Sequence, residues 1–173
     1  MPKLFYLFLS ISVFCFVAAG IFTYQVVSPA TASPVVINET GLVHAASLKI
    51  PALDLDLPVS EGEVKDNRWP TSTKSLIHVS TTKLPGTPGN SIIYGHNWKS
   101  QLGDLDKVKV GDTISVTLTD GSVKDFSVSQ IVEVSPDQSD LLQDTIDTRL
   151  TLYTCSGFLD SKRLVVVAIP ATN

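Results

Sequence analysis

The chain has 173 residues, with 13 lysines and arginines against 17 aspartates and glutamates, a formal net charge of −4. That length suits one domain plus an appendage, and the lack of any basic run excludes nucleic acid as a partner. Two cysteines, Cys15 and Cys155, and three scattered histidines make a poor structural zinc site, so neither metal nor cofactor is expected.

Residues 4–22 (LFYLFLSISVFCFVAAGIF) carry no charge, and the next charged residue after Lys3 is Glu39. About 20 apolar residues cross a bilayer core as a helix, and the run is longer than the about 7–15 residues of a secretory apolar core. A membrane anchor is therefore expected within residues 1–27, with Lys3 favouring a cytoplasmic tip. A cleavable signal peptide is the alternative, with Ala30-Thr31-Ala32 as a small-x-small cleavage site. On either reading the rest of the chain crosses the membrane. Cys15 lies inside the apolar run, so it is a poor disulfide partner for Cys155. Residues 28–46 are rich in Ser, Thr, Pro and Ala and read as a tether.

Residues 47–173 read as one β domain. SLKIPALDLDLPV gives short apolar runs cut by prolines, and residues 91–95 (SIIYG) form a β-rich run ending on glycine. Residues 113–119 (TISVTLT) alternate as a half-buried strand does. Asp120-Gly121 suits a tight hairpin turn, and VKDFSVSQIVEV is the return strand. RLTLYT and RLVVVAI close the chain. Short helical pieces are expected around residues 102–108 and 137–143. Many short strands with Gly and Pro punctuation imply a sandwich or barrel.

The chemistry concentrates in TLYTCSGFLDSKR, residues 151–163. Strand alternation sets Cys155 on the face opposite Leu150 and Leu152, and Ser156-Gly157 ends the strand. Free cysteines are often small buried hydrophobes, so Cys155 needs partners before it reads as a nucleophile. A thiol nucleophile needs a proton acceptor or cationic neighbour, an acid for the leaving group and donors for an oxyanion. His44 falls in the tether. His78 sits between apolar residues and a hydroxyl cluster. His96 follows a strand and a glycine, which favours it as the acid–base partner. Arg163 stands eight residues after Cys155, across a candidate hairpin, and its rigid fork can hold a carbonyl or an oxyanion. Lys162 reads as a solvated strand-end cation.

Together these pieces resemble the sortase family of membrane-anchored cysteine transpeptidases, in particular its small class D/E-like members. TLYTC resembles the family's T-L-x-T-C segment, LPGTPGNSIIYGH its P-G-x-x-G-N-x-x-x-x-G-H segment, and RLVVVA its Arg-led final strand. The similarity runs from about residue 47 to 168. It implies an all-β fold, a closed barrel of about eight strands with short helices, behind one transmembrane helix. It implies cleavage of an LPXTG-like sorting signal between Thr and Gly. Cys155 would be the nucleophile, His96 the acid–base and Arg163 the carbonyl or oxyanion clamp. Thr154, His78 and Asn97 are candidates for substrate contact. The expected partners are proteins bearing the signal and an amine on cell-wall precursor or pilin. The catalytic domain would be extracellular and the N-terminus cytoplasmic.

Three features depart from the family pattern. Asn97-Trp98 follows the histidine where Arg is common, the loop from Cys155 to Arg163 is short, and the tether lacks the D-P-aromatic lid of many pilin-polymerising members. Neither the sorting-signal variant nor the accepting amine is written in these motifs. An exported cysteine peptidase that hydrolyses its thioester, and a non-catalytic tethered barrel that binds envelope peptides, are the alternatives. KLPGTPG (residues 83–89) resembles a sorting signal but reads as the loop leading into the His96 strand. Asp54, Asp56, Glu61 and Glu63 lack a calcium-binding pattern and read as a solvated acidic face.

Overall fold

The computed structural model describes residues 42–66, 68–138 and 140–172. The expected anchor, and most of the expected tether, lie outside the described residues. Eight strands follow in order: β1 (Ala45–Ile50), β2 (Leu55–Gly62), β3 (Leu76–Val79), β4 (Gly89–Tyr94), β5 (Thr113–Leu118), β6 (Val123–Val134), β7 (Thr148–Ser156) and β8 (Lys162–Pro170). They close a barrel in the order β1-β2-β3-β4-β7-β8-β6-β5. Closure removes the sheet edges that would otherwise invite aggregation. β2–β3 and β4–β7 pair in parallel, and the other neighbours antiparallel.

Local sequence explains most elements. Pro51 breaks β1, a 3₁₀ turn covers Pro51–Leu53, and Asp54 caps it in the left-handed region (φ 51°). The short helices reduce to single 3₁₀ turns at Leu105–Lys107 and Asp140–Leu142. Asp120 and Gly121 make the β5–β6 turn, with Gly121 at φ 83° and the Asp120 side chain accepting the Ser122 N–H at 2.9 Å. β1 begins at Ala45, two residues inside the segment that reads as tether, because it pairs with β5.

The barrel interior is filled by alternating residues such as Leu48, Ile114, Val116, Phe126, Leu150, Leu152, Val166 and Ala168. β3, β4, β7 and β8 are also covered in part outside, and the LVVVAI run of β8 is continuously apolar as a strand packed on both faces is. Ile77, Val79, Ile92 and Tyr94 pack there with Trp69 and Tyr153. Trp69 stacks on Tyr153 (centroids 5.4 Å apart, 15°) and meets Tyr94 edge-on, while the Tyr94 hydroxyl donates to the Pro70 carbonyl. The connection between β2 and β3 is thereby clamped over β4 and β7.

The Gly-Asn pair that starts β4 is a second clamp. A Cβ on Gly89 (φ 118°) would lie 2.3 Å from the Lys83 side chain and 2.6 Å from the Asp144 carboxylate. The Asn90 side chain is buried and donates to the Leu141 and Gln143 carbonyls, both at 3.0 Å, and accepts from Thr151 Oγ1 at 2.7 Å. Each polar atom of that amide is satisfied by β7 or by the segment leading into it, as burial demands.

Leu152, with no exposed surface, gives the direct test of this packing. Leu152→Ala is expected to cost about 2–5 kcal/mol in urea denaturation. Ile146→Ala, at a fully exposed position, is expected to change stability by less than about 0.5 kcal/mol. Equal effects would contradict the assignment of inside and outside.

Candidate active site

Cys155 is the penultimate residue of β7 and is unpaired and partly exposed. β7 lies between β4 and β8 in the barrel. On the β8 side, Cys155 stands directly opposite Arg163. On the β4 side, the parallel ladder ends with Tyr94 opposite Tyr153. It is prolonged by the Gly95 N–H to the Tyr153 carbonyl at 3.3 Å and by Thr154 Oγ1 donating to the Gly95 carbonyl at 2.9 Å. One step further along the same register come His96 and Cys155. Cys155 and Arg163 therefore form one row, and the β4 register continued past its last pair leads to His96.

The row faces away from the barrel interior. Leu150, Leu152, Leu164 and Val166 point inward, while Tyr94, Tyr153, Val165 and Val167 pack outside. Strand alternation puts Cys155 and Arg163 with the second set, as the sequence reading expects. A recess of about 250 Å³ opens beside the sulfur, lined among others by Asn97, Asp106, Glu133, Thr154, Cys155 and Gly157.

The backbone at His96 is held by local hydrogen bonds. Its N–H donates to Gln101 Oε1 at 2.7 Å and its carbonyl accepts from the Leu102 N–H at 3.0 Å. Gln101 is itself buried and donates to the Ser72 carbonyl at 2.8 Å. The imidazole stacks on Trp98 with centroids 4.1 Å apart and planes 10° apart. The Trp98 carbonyl receives the N–H groups of Gln101 and Gly103 at 2.8 Å each. Only glycine fits at Gly103, since a Cβ would come within 2.5 Å of the Trp98 carbonyl carbon.

Arg163 Nη1 donates to the Asp160 and Lys162 carbonyls, each at 2.8 Å. Burial pushes the Cys155 thiol above its ordinary value; the Arg163 guanidinium pulls against that rise, and the Asp160 carboxylate adds to it. Burial likewise raises the Tyr153 phenol, again with Arg163 opposing. The thiol thus stands next to a cation able to stabilise its anion.

The other expected site residues divide. Asn97 lines the recess and donates to Asp160 Oδ1 at 2.8 Å. Thr154 also lines it, with its hydroxyl engaged on the Gly95 carbonyl. His78 is buried on β3 and, like His96 and Arg163, is not among the residues lining the recess. Its Nδ1 meets the Glu61 carboxylate at 2.8 Å and its Nε2 meets the Lys83 carbonyl at 3.0 Å. Glu61 accordingly leaves the acidic face expected from sequence, because register places it opposite His78. Lys162 is not simply solvated: it pairs with Glu133 at 2.8 Å, and that contact holds the Glu133 carboxyl below its usual range. Gln101 and Asp160 are the contributors that sequence reading missed. Neither sits in a motif, and both act through loop geometry.

Register sets a thiol opposite a guanidinium, with an imidazole just past the end of the neighbouring strand β4. A sortase domain model matches residues 48–171. The chain is 27% identical over 124 residues to Sortase A of Bacillus anthracis, covering 70% of this chain and 56% of that protein. It spans just over half the length of the curated relatives it matches. Among solved structures it is similar to sortase A from Corynebacterium diphtheriae (TM-score 0.66, 29% identity, 79% of this chain and 64% of that one). It is similar also to a Clostridium perfringens sortase D5 transpeptidase (TM-score 0.64, 25% identity, 75% of this chain and 79% of that one). With most of its length matched by that domain, and with the same closed barrel, the chain belongs to the sortase family.

Proposed function

We propose that this protein is a cysteine transpeptidase that cleaves an LPXTG-like sorting signal between Thr and Gly and joins the new end to an amine of the cell envelope. The observation that carries the reading is the register: Arg163 opposite Cys155 on one side, and His96 reached by extending the β4–β7 ladder on the other. The relatives named as sortases support the reaction class.

The chemistry follows from the three groups. The Cys155 thiolate attacks the Thr carbonyl carbon, and the carbonyl electrons move to oxygen. Arg163 presents a planar fork of donors, which suits it to hold that oxyanion. The oxyanion collapses, the C–N bond breaks, and His96 gives a proton to the departing Gly amine. A thioester on Cys155 remains. An incoming amine attacks it, His96 takes the amine proton, and the thiolate leaves. Proton transfer by a placed imidazole contributes typically about 10²–10⁴-fold. Water in place of the amine would yield a free acid, the outcome of a hydrolase. We assign membrane anchoring to residues 4–22, with the barrel outside the cell, in keeping with a family associated with the cell envelope.

A peptide carrying an LPXTG-type signal, supplied with an amine acceptor, is expected to give an amide-ligated product by mass. Cys155→Ala is expected to abolish it, and His96→Ala and Arg163→Ala to reduce it by at least about 10²-fold, the scale of losing a general acid or an oxyanion donor. Full activity in Cys155→Ala, or free acid as the sole product, would contradict the proposal.

The sign of the pH dependence follows from the thiol. Its pKa is raised by burial, so thiolate, and with it the rate of alkylation, should increase as pH rises through the alkaline range. Arg163→Ala removes the opposing cation, so the midpoint of the alkylation profile is expected to move to still higher pH. A midpoint that moves down would contradict the placement of the guanidinium.

A further inference from the structure

The loop between β7 and β8 is held by few contacts. Phe158 and Leu159 are both 85% exposed, so apolar packing does not fix its shape. Leu159 (φ 52°) and Asp160 (φ 58°) are both left-handed, a conformation that L residues with a Cβ avoid. Something other than packing must maintain it. Three hydrogen bonds do so: the Ser161 N–H to the Phe158 carbonyl at 3.2 Å, Arg163 Nη1 to the Asp160 carbonyl at 2.8 Å, and Asn97 Nδ2 to Asp160 Oδ1 at 2.8 Å.

Two of these three meet at Asp160. Its side chain reaches the loop after β4, next to His96. Its main chain holds the cation that stands opposite Cys155. Asn97 lines the recess beside the sulfur, so the Asn97–Asp160 bond ties the β7–β8 loop to one wall of that recess.

We infer that Asp160 is a positioning residue that keeps the site in a resting arrangement, its carboxylate tied to Asn97 at the edge of the recess and its carbonyl holding the Arg163 guanidinium on the loop. The inference rests on the transpeptidase reading for its purpose, though its physical content concerns the thiol alone. In this arrangement the fork of Arg163 is partly engaged by carbonyls of its own loop. The Asp160 carboxylate meanwhile adds to the rise of the thiol pKa. Breaking the bond to Asn97 would release the carboxylate and loosen the loop whose Asp160 carbonyl shares the guanidinium with the Lys162 carbonyl. A loop strained at two consecutive residues and little packed opens at small cost.

Other charged groups near Cys155 do not duplicate this role. On β8, Lys162 is neutralised by Glu133 of β6 at 2.8 Å. Asp106, after β4, lines the recess without contacting Arg163 or Asn97 by hydrogen bond. His96 is stacked on Trp98. Asp160 is the carboxylate that touches both loops.

The test is the rate of Cys155 alkylation by iodoacetamide in the full-length chain, followed by mass on the peptide that carries Cys155, across a range of pH. It needs no sorting peptide, so it stands or falls separately from the transpeptidase reading. Asp160→Asn keeps an oxygen acceptor for Asn97 but removes the charge. Asp160→Gly removes the whole side chain and accepts the positive φ, which guards against misfolding. Asn97→Ala cuts the bridge and leaves the charge.

Both Asp160 variants are expected to alkylate at least about twofold faster than wild type at neutral pH, because more thiolate is present, with profiles displaced to lower pH. Asn97→Ala is expected to move in the same direction. Rates and profiles equal to wild type in both Asp160 variants, or slower reaction, would overturn the inference. Wild-type behaviour in Asn97→Ala alone would overturn the role of the bridge.

Discussion

Six register pairs lock β4 against β7 in parallel, from Gly89 opposite Thr148 to Tyr94 opposite Tyr153. The site depends on that ladder more than on any single side chain. Parallel strands cannot be joined by a tight turn, and here the chain between them builds β5, β6 and the loop that cradles His96. A slip of one residue in the ladder would exchange faces along β7. Cys155 would then turn towards the barrel interior while Leu150 and Leu152 turned out of it, and Arg163 would lose it. The buried Asn90 amide, bonded to Leu141, Gln143 and Thr151, pins the register at the start of β4. The Thr154 hydroxyl pins it at the far end, on Gly95. The reactive row is an extension of a ladder fixed at both ends.

Charge around the sulfur is balanced rather than maximally activating. Partial burial raises the thiol pKa, Arg163 opposes the rise and Asp160 reinforces it. The neighbours of the sulfur thus pull its pKa in opposite directions, the cation lowering and the carboxylate raising it. The guanidinium is engaged on two carbonyls of its own loop, not on a group of the barrel.

The strands were legible because alternation and prolines mark them. The run TISVTLT-DG, followed by VKDFSVSQIVEV, became β5, its turn and β6 with bounds shifted by at most two residues. The continuous apolar run RLVVVAI became a strand covered on both faces. The three candidate residues were legible for a different reason: each stands near a strand end, within a segment that resembles a sortase motif. What escaped the sequence reading is contact made by loops. Asp160 lies in a loop whose shape follows from two left-handed residues, neither of them glycine. Glu61 looked like one of several surface acids until the parallel β2–β3 pairing set it against His78. Gln101 has no motif at all, and its role comes from burial beneath the His96 backbone. Composition and period carry information about strands; they carry none about which loop side chains meet across a cleft.

The most direct test of the whole account is intact-protein mass after mixing the chain with a panel of sorting-signal peptides and no amine. If sulfur, imidazole and guanidinium act on one carbonyl, the wild-type chain gains the mass of the peptide up to its Thr, as a hydroxylamine-labile adduct on Cys155. Cys155→Ala gains nothing. Peptide cleavage without any adduct on Cys155, or an adduct that persists in Cys155→Ala, would contradict the account.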